Sequence, residues 1–186
     1  MANKAFNLPN TLAWLRIAAA PLLFFLLVER APFLAMGVHP GWLDYAAILV
    51  FSFAAITDFF DGYIARAWNQ TTVLGEILDP LADKLLVLAA FLGLMLLDRA
   101  NAWAVLIILG REFFITGLRV MIVAEGKSVA ASNWGKWKTG FQITAIVFMI
   151  LNWWPIVSIT LLWIAVALTL WSGYEYVRDY ARPKAA

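Results

Sequence analysis

The sequence contains no cysteine and only one histidine, His39. It therefore forms no disulfide and has no thiol for catalysis, and metals that prefer sulfur or imidazole ligands are poorly served. Charged residues make up only 14% of the chain, and the formal net charge of +2 is too small to indicate a nucleic-acid partner. Internal repeats, low-complexity tracts and linkers are also missing, so one domain over residues 1–186 is predicted.

Apolar residues are abundant instead. They make up 63% of the chain, which has ten tryptophans and a mean hydropathy of +0.80. This composition excludes a soluble globular domain and indicates an integral membrane protein. The predicted fold class is all-α, a polytopic membrane protein with six transmembrane helices and a short N-terminal interfacial segment at residues 3–10.

Six apolar stretches are predicted to cross the bilayer. The first four are residues 11–28, 42–66, 75–97 and 102–124. Residues 141–174 then form 34 consecutive residues without a charge. As one helix they would extend about 51 Å, whereas the hydrocarbon core is only about 30 Å thick. Residues 152–155 (Asn-Trp-Trp-Pro) are therefore predicted to turn the chain and to separate a fifth span from a sixth.

Basic residues are distributed unevenly between the predicted loops. With six spans both termini lie on one side, and the loops of the opposite side contain only Arg30 and Arg99. The near side holds Lys4, Lys127, Lys136, Lys138, Arg178, Arg182 and Lys184. Because positive charge is retained on the cytoplasmic side of a membrane, the near side is predicted to face the cytoplasm.

Four aspartates stand out in this apolar chain: Asp58, Asp61, Asp79 and Asp83. Residues three or four positions apart share a face of a helix, and the polar residues 69–72 predict a turn between the two pairs. Two helix ends would then gather four carboxylates, which repel one another unless cations lie between them. Oxygen ligands alone favour a pair of Mg²⁺ or Mn²⁺ ions, with Ca²⁺ as a competitor.

Two small residues and a cation follow the first aspartate pair: Gly62, Ala65 and Arg66. Small side chains let a large group such as a nucleotide approach the helix backbone, and a guanidinium group suits phosphate. The structural alternative is that the aspartates cap helix ends and pair with Arg66 and Lys84. Capping accounts for one aspartate at a helix end and not for two on each of two helices.

A second polar group is predicted further along the chain. Arg111 and Arg119 are eight residues apart in the fourth span, so their side chains point about 80° apart on the helix. An arginine at membrane depth needs an anion, and with Lys136 and Lys138 the two are predicted to bind the phosphate of a small acceptor. The alternative is that Arg111 pairs with a buried acid such as Glu112 of another helix and that the lysines reach toward lipid head groups.

The segment from Asp58 to Asp83 follows the pattern D-x2-D-G-x2-A-R-x8-G-x3-D-x3-D without a gap or substitution. The chain therefore resembles the CDP-alcohol phosphotransferase family, whose signature this pattern is. The resemblance implies a six-helix membrane enzyme, commonly a homodimer, with two Mg²⁺ or Mn²⁺ ions held by the four aspartates. It also implies that Asp83 is the general base. The residues implied for CDP binding are Asp58, Gly62, Ala65, Arg66, Thr72 and Gly75.

Segments outside this pattern narrow the resemblance within the family. Residues 7–21, 79–84, 111–119 and 130–139 are similar to those of bacterial members that transfer the phosphatidyl group from CDP-diacylglycerol to glycerol 3-phosphate. Such an enzyme would release phosphatidylglycerophosphate and CMP at a bacterial inner membrane, with its active site facing the cytoplasm. Phosphatidylglycerol and inositol phosphate are the alternative acceptors within the family, and a cation transporter is the alternative from another class.

Overall fold

The computed structural model describes residues 8–67, 73–124 and 133–181. For residues 8–10, 58–67, 73–80, 123, 133 and 181 it describes the backbone and not the side chain. All the regular structure in these ranges is helical, which confirms the all-α class. The helices are α1 (Leu8–Val28), α2 (Ala31–Ala35), α3 (Pro40–Ala67), α4 (Val73–Leu96), α5 (Ala102–Ala124), α6 (Asn133–Leu151) and α7 (Pro155–Ala181).

The six long helices coincide with the six apolar stretches of the sequence. The predicted turn between the last two is present, since α6 ends at Leu151, Asn152 has a positive φ of 53° and α7 begins at Pro155. The predicted interfacial segment and the turn at residues 69–72 lie outside the described residues, apart from the first helical turn at 8–10.

The short helix α2 was not predicted. It lies in the loop between the first two expected spans, where Pro32 occupies its first turn. Gly37, with a φ of 81°, ends it in the left-handed conformation that glycine tolerates best. Five residues that include a proline and are closely followed by a glycine resemble a loop in sequence, because they are too few to show a helical period.

Within the part of the chain that the structure describes, three helices are long and apolar enough to cross a membrane by length and composition. The qualifying segments are Thr11–Val28 in α1, Pro40–Thr57 in α3 and Pro155–Tyr180 in α7. In α5, Arg111, Glu112 and Arg119 fall within every stretch of 18 residues, and their charges offset its apolar positions. A membrane protein is thus supported, whereas the count of six spans stays a prediction.

Large apolar side chains cover much of the surface of these helices. Leu49 on α3 is 71% exposed, Trp103 on α5 is 70% exposed and Ile156 on α7 is 81% exposed. A water-soluble protein rarely exposes apolar groups so extensively, whereas lipid tails contact them favourably. The exposed surface therefore agrees with a protein embedded in a bilayer.

The chain divides into two compact units, Met1–Asp98 and Arg99–Ala186. In the first unit, α1 packs against both α3 and α4. Its core consists of fully buried apolar side chains: Leu23, Leu27, Phe51, Phe91 and Leu94. Arg30, just after α1, forms an ion pair with Asp44 on α3, and a cleft of about 400 Å³ with a purely apolar lining separates part of α1 from α4.

In the second unit, α6 packs along α7, and α5 also contacts α7. The turn between α6 and α7 is held by two hydrogen bonds. Arg99 Nη1 donates to the carbonyl oxygen of Ile150 at 2.7 Å, and Ser158 Oγ donates to that of Phe148 at 3.1 Å. These contacts hold α6 against α7, and the predicted acceptor-binding residues lie on α5 and α6 of this unit.

The packing of α1 on α4 depends on Gly93, and this gives a first testable prediction. A Cβ atom at Gly93 would lie 2.8 Å from Cδ1 and 2.9 Å from Cβ of Leu27, so one helix must move. We expect Gly93→Ala to lower the free energy of unfolding by about 1–3 kcal/mol, as overpacking does. Thermal unfolding in detergent measures the effect. Gly110→Ala is the matched control, since no atom lies within 4 Å of a Cβ there; equal melting temperatures for the two variants would contradict the prediction.

Candidate active site

The four aspartates of the sequence pattern lie on two consecutive helices. Asp58 and Asp61 are in α3, and Asp79 and Asp83 are in α4. Among these four, only Asp83 belongs to the residues whose side chains the structure describes. The convergence of the four carboxylates is therefore judged from the helices that carry them.

The helix bounds place the aspartates at matching distances from the α3–α4 connection. Asp61 lies six residues before α3 ends at Ala67, and Asp79 lies six residues after α4 begins at Val73. Six residues of helix are about 9 Å long. The other two aspartates are nine and ten residues from the same ends. Since α3 and α4 contact each other and are consecutive in the chain, the two aspartate pairs lie at similar distances along the chain from the connection between these helices.

The carboxylate of Asp83 is open to a ligand. Its side chain is 39% exposed, and Oδ2 lies 3.6 Å from Nζ of Lys84. The residue before it, Ala82, is fully buried, so Asp83 lies at the edge of the first unit's core. A carboxylate with this exposure can be reached by a metal ion or by a substrate hydroxyl.

The donor chemistry fits a hard divalent cation. Four carboxylates on consecutive, contacting helices would offer the oxygen ligands that Mg²⁺ and Mn²⁺ prefer. The single histidine is exposed just before α3, and its Nδ1 accepts a hydrogen bond from Gly41 N–H at 3.1 Å. His39 is thus at the opposite end of α3 from the aspartates, and no imidazole or thiol competes for the metal.

The residues implied for CDP binding fall around the same connection. Gly62, Ala65 and Arg66 are in the last two turns of α3, and Gly75 is in the first turn of α4. Thr72 lies outside the described residues. Their side-chain contacts are likewise outside the description, so the nucleotide-binding role stays a prediction.

A buried ionic cluster occupies the second unit. The carboxylate of Glu112 on α5 is paired with Nζ of Lys138 on α6, and both residues are buried, with 4% and 6% exposure. Nη1 of Arg111 lies 3.4 Å from the same oxygen, Oε1. One carboxylate therefore receives two cations, and the three side chains together carry a net positive charge.

Arg111 extends from this cluster to α7. Its Nη2 donates to Oγ of Ser172 at 3.1 Å, and its aliphatic stem lies against Gly173, where an added Cβ would be 3.1 Å from Nε. Nε of Arg111 and Oγ1 of Thr169 are buried and have no hydrogen-bond partner among the described residues. The guanidinium group is thus held in place on one side and keeps unused hydrogen-bonding capacity.

The other two predicted acceptor-binding residues, Arg119 and Lys136, are exposed. Arg119 is exposed on α5, and its guanidinium carbon lies 5.9 Å from the centre of the Tyr176 ring on α7. Lys136 is exposed, although it is only two residues from buried Lys138, because that step turns about 200° around a helix. The structure therefore brings Arg111 and Lys138 together at Glu112, places Arg119 beside α7 and leaves Lys136 at the surface.

The structural alternative paired Arg111 with a buried acid such as Glu112 of another helix; the structure shows the contact with Glu112, but between neighbouring residues of α5. Lys138, by contrast, is buried and does not reach toward head groups. Sequence reasoning missed three polar residues of α7: Thr169, Ser172 and Tyr176. Their spacing of three and four residues in a largely apolar helix was the signal, since such positions share one face.

Comparison with known proteins places this chain in a family. A model of the CDP-alcohol phosphatidyltransferase family matches residues 6–171, which reach into both compact units, and the chain belongs to this family. The family resemblance found in the motif is thereby confirmed, and the protein is a transferase enzyme.

Individual relatives have more specific names than the family model. The chain is 42% identical over 182 residues to the CDP-diacylglycerol–glycerol-3-phosphate 3-phosphatidyltransferase of Bacillus subtilis (strain 168), covering 92% of this chain and 93% of the relative. It is 38% identical over 181 residues to the protein of the same name from Escherichia coli (strain K12), with the same coverage of both chains.

Proposed function

We propose that this protein transfers the phosphatidyl group from CDP-diacylglycerol to glycerol 3-phosphate, which yields phosphatidylglycerophosphate and CMP. The observation that carries the proposal is 42% identity over 92% of the chain to a relative named for this reaction. The enzyme would lie in the bacterial inner membrane as a six-span homodimer, with its active site facing the cytoplasm. The acyl chains of CDP-diacylglycerol could then remain in the bilayer during the reaction.

Asp58, Asp61, Asp79 and Asp83 would hold two Mg²⁺ or Mn²⁺ ions. When bound, such ions would neutralise the negative charge that develops as the pyrophosphate of CDP-diacylglycerol is broken and CMP leaves. The small side chains of the Gly62 to Ala65 turn let the nucleotide approach the α3 backbone, and the neighbouring residues Arg66, Thr72 and Gly75 complete the CDP site.

Asp83 acts as the general base in this proposal. Its carboxylate accepts the proton of the glycerol 1-hydroxyl while that oxygen attacks the phosphorus that bears diacylglycerol. The bond from this phosphorus to the CMP oxygen breaks, and CMP leaves with the bonding electrons. The partial exposure of Asp83 supports the assignment, because the acceptor hydroxyl must reach the carboxylate.

Arg111, Arg119, Lys136 and Lys138 bind the acceptor phosphate in this proposal. Glu112 supports this assignment, because its carboxylate and Ser172 hold Arg111 in place, and this one carboxylate faces two cations, Arg111 and Lys138. Two cations beside one carboxylate favour the approach of a further anion. A preformed cationic site also selects a phosphorylated acceptor over a neutral one.

Arg119→Ala is predicted to raise the Michaelis constant for glycerol 3-phosphate about tenfold and to leave turnover at saturation nearly unchanged, as expected when uniform binding is lost. Steady-state kinetics with varied acceptor measure both. Arg178→Ala is the control, because Arg178 pairs with its chain neighbour Asp179 at 2.9 Å and has no proposed role. An unchanged acceptor dependence in Arg119→Ala would remove Arg119 from the site.

The decisive test of the reaction is release of CMP from CDP-diacylglycerol by the purified protein in mixed micelles. Release should require both glycerol 3-phosphate and Mg²⁺, stop in excess chelator and resume when Mg²⁺ is restored. Phosphatidylglycerol and inositol phosphate belong in the same assay as rival acceptors. Equal activity in chelator, or faster release with another acceptor, would overturn the proposal.

A further inference from the structure

Tyr176 on α7 is buried, with 5% exposure, and lies next to the predicted acceptor site. Its hydroxyl group has no hydrogen-bond partner among the residues that the structure describes. A buried hydroxyl without a partner is costly, and native proteins rarely contain one unless water or a ligand completes it. We therefore expect the Tyr176 hydroxyl to form a hydrogen bond with a group outside the described residues.

The aromatic ring of Tyr176 packs against neighbouring residues of α5. It forms a buried cluster with Ile115 and Ile122 of α5, against which Leu118 packs. The guanidinium carbon of Arg119 lies 5.9 Å from the ring centre, within the range of a cation–π interaction. A phenylalanine would make all of these contacts, so packing does not explain why the residue carries a hydroxyl.

The position of Tyr176 relative to the two arginines suggests the missing partner. Arg111 donates to Ser172, and Tyr176 follows Ser172 by four residues, which is about 6 Å along α7. On α5, Arg119 follows Arg111 by eight residues, or about 12 Å. Tyr176 thus lies between the levels of the two arginines, and its ring contacts Arg119.

We propose that the Tyr176 hydroxyl donates a hydrogen bond to the acceptor phosphate bound between Arg111 and Arg119, and that Tyr176 is thereby a specificity-determining residue. The inference rests on the proposed function, since it assigns the acceptor phosphate to this pocket. The hydroxyl is a neutral donor among cations, and a donor at a fixed position distinguishes a phosphate from a smaller or differently shaped anion.

Tyr176→Phe is the test, because it removes the hydroxyl and keeps the ring. The Michaelis constant for glycerol 3-phosphate should rise about tenfold, as loss of a hydrogen bond to a charged group predicts. Turnover at saturation and the Michaelis constant for CDP-diacylglycerol should change less than about twofold. Inorganic phosphate, as a competitive inhibitor against glycerol 3-phosphate, should weaken by a similar factor. Tyr174→Phe is the matched control on the same helix, since Tyr174 is 61% exposed.

The outcomes separate this inference from the proposed function. If Arg119→Ala raises the acceptor Michaelis constant and Tyr176→Phe does not, the role of Tyr176 is wrong and the acceptor site stands. If neither variant changes it, the acceptor site itself is wrongly placed. A lower melting temperature in Tyr176→Phe, with both Michaelis constants and phosphate inhibition unchanged, would show a purely structural hydroxyl and also overturn the inference.

Discussion

Replacing Asp83 by asparagine is expected to reduce turnover by about a thousandfold or more while leaving the protein folded. Loss of a general base costs about 10²–10⁴ in rate, and loss of a metal ligand would add to it. Asparagine has the same shape as aspartate, and the side chain is 39% exposed. The free energy of unfolding should therefore change little. CMP release measures the activity, and thermal unfolding checks the fold.

A matched control for this variant is Asp98→Asn, two residues after α4 ends. Asp98 is exposed and has a φ of 55°, a left-handed conformation that asparagine also tolerates. This variant should keep full activity. Turnover in Asp83→Asn within tenfold of the wild type would exclude an essential role for the carboxylate.

The pH dependence of the residual activity separates the two roles of Asp83. If the carboxylate is the base, the acidic limb of the rate profile reports its protonation and should disappear in Asp83→Asn. If Asp83 only ligates a metal, the limb persists and the Mn²⁺ concentration needed for half-maximal activity rises instead. A limb that persists unchanged would therefore remove the base assignment.

Replacing Glu112 by glutamine is expected to have the second largest effect, on stability as well as on activity. The buried carboxylate is the shared counter-ion of Lys138 and Arg111. Removing one partner of a buried ion pair costs about 3–5 kcal/mol, because the remaining charges stay buried without compensation. For a chain of this size, such a loss lowers the melting temperature by about 6–20 °C.

An anionic ligand should partly restore the Glu112→Gln variant. If the cluster binds phosphate, glycerol 3-phosphate supplies negative charge next to the two cations and should raise the melting temperature of the variant more than that of the wild type. Asp179→Asn is the control, since the exposed pair of Asp179 with Arg178 is worth less than about 1 kcal/mol. A Glu112→Gln protein as stable as the wild type would show that this carboxylate does not hold the cluster together.

The helices were predictable because each depends on a local run of apolar residues matched to the bilayer. Every long run became a helix, and the uncharged run 141–174 was divided at the expected turn, since one helix of that length would exceed the membrane. The short helix α2 was missed, because its five residues, which include Pro32, are too few to show a periodic signal.

The burial and pairing of the basic residues could not be predicted from the sequence. Lys136 and Lys138 were given the same role, yet one is exposed and the other is buried against Glu112. Lys138 and Glu112 are 26 residues apart in the chain, and Arg111 and Ser172 are 61 apart. Such pairs depend on how α5, α6 and α7 pack, which no local pattern of residues reveals.

The sequence by itself determined the helical membrane class, the family and the register of the four aspartates, because all three depend on composition or on spacing along one or two adjacent helices. Only the tertiary structure decided which cations share Glu112 and that the hydroxyl of Tyr176 is buried beside the predicted acceptor site. The physical reason is that burial and ion pairing are properties of distant segments brought into contact.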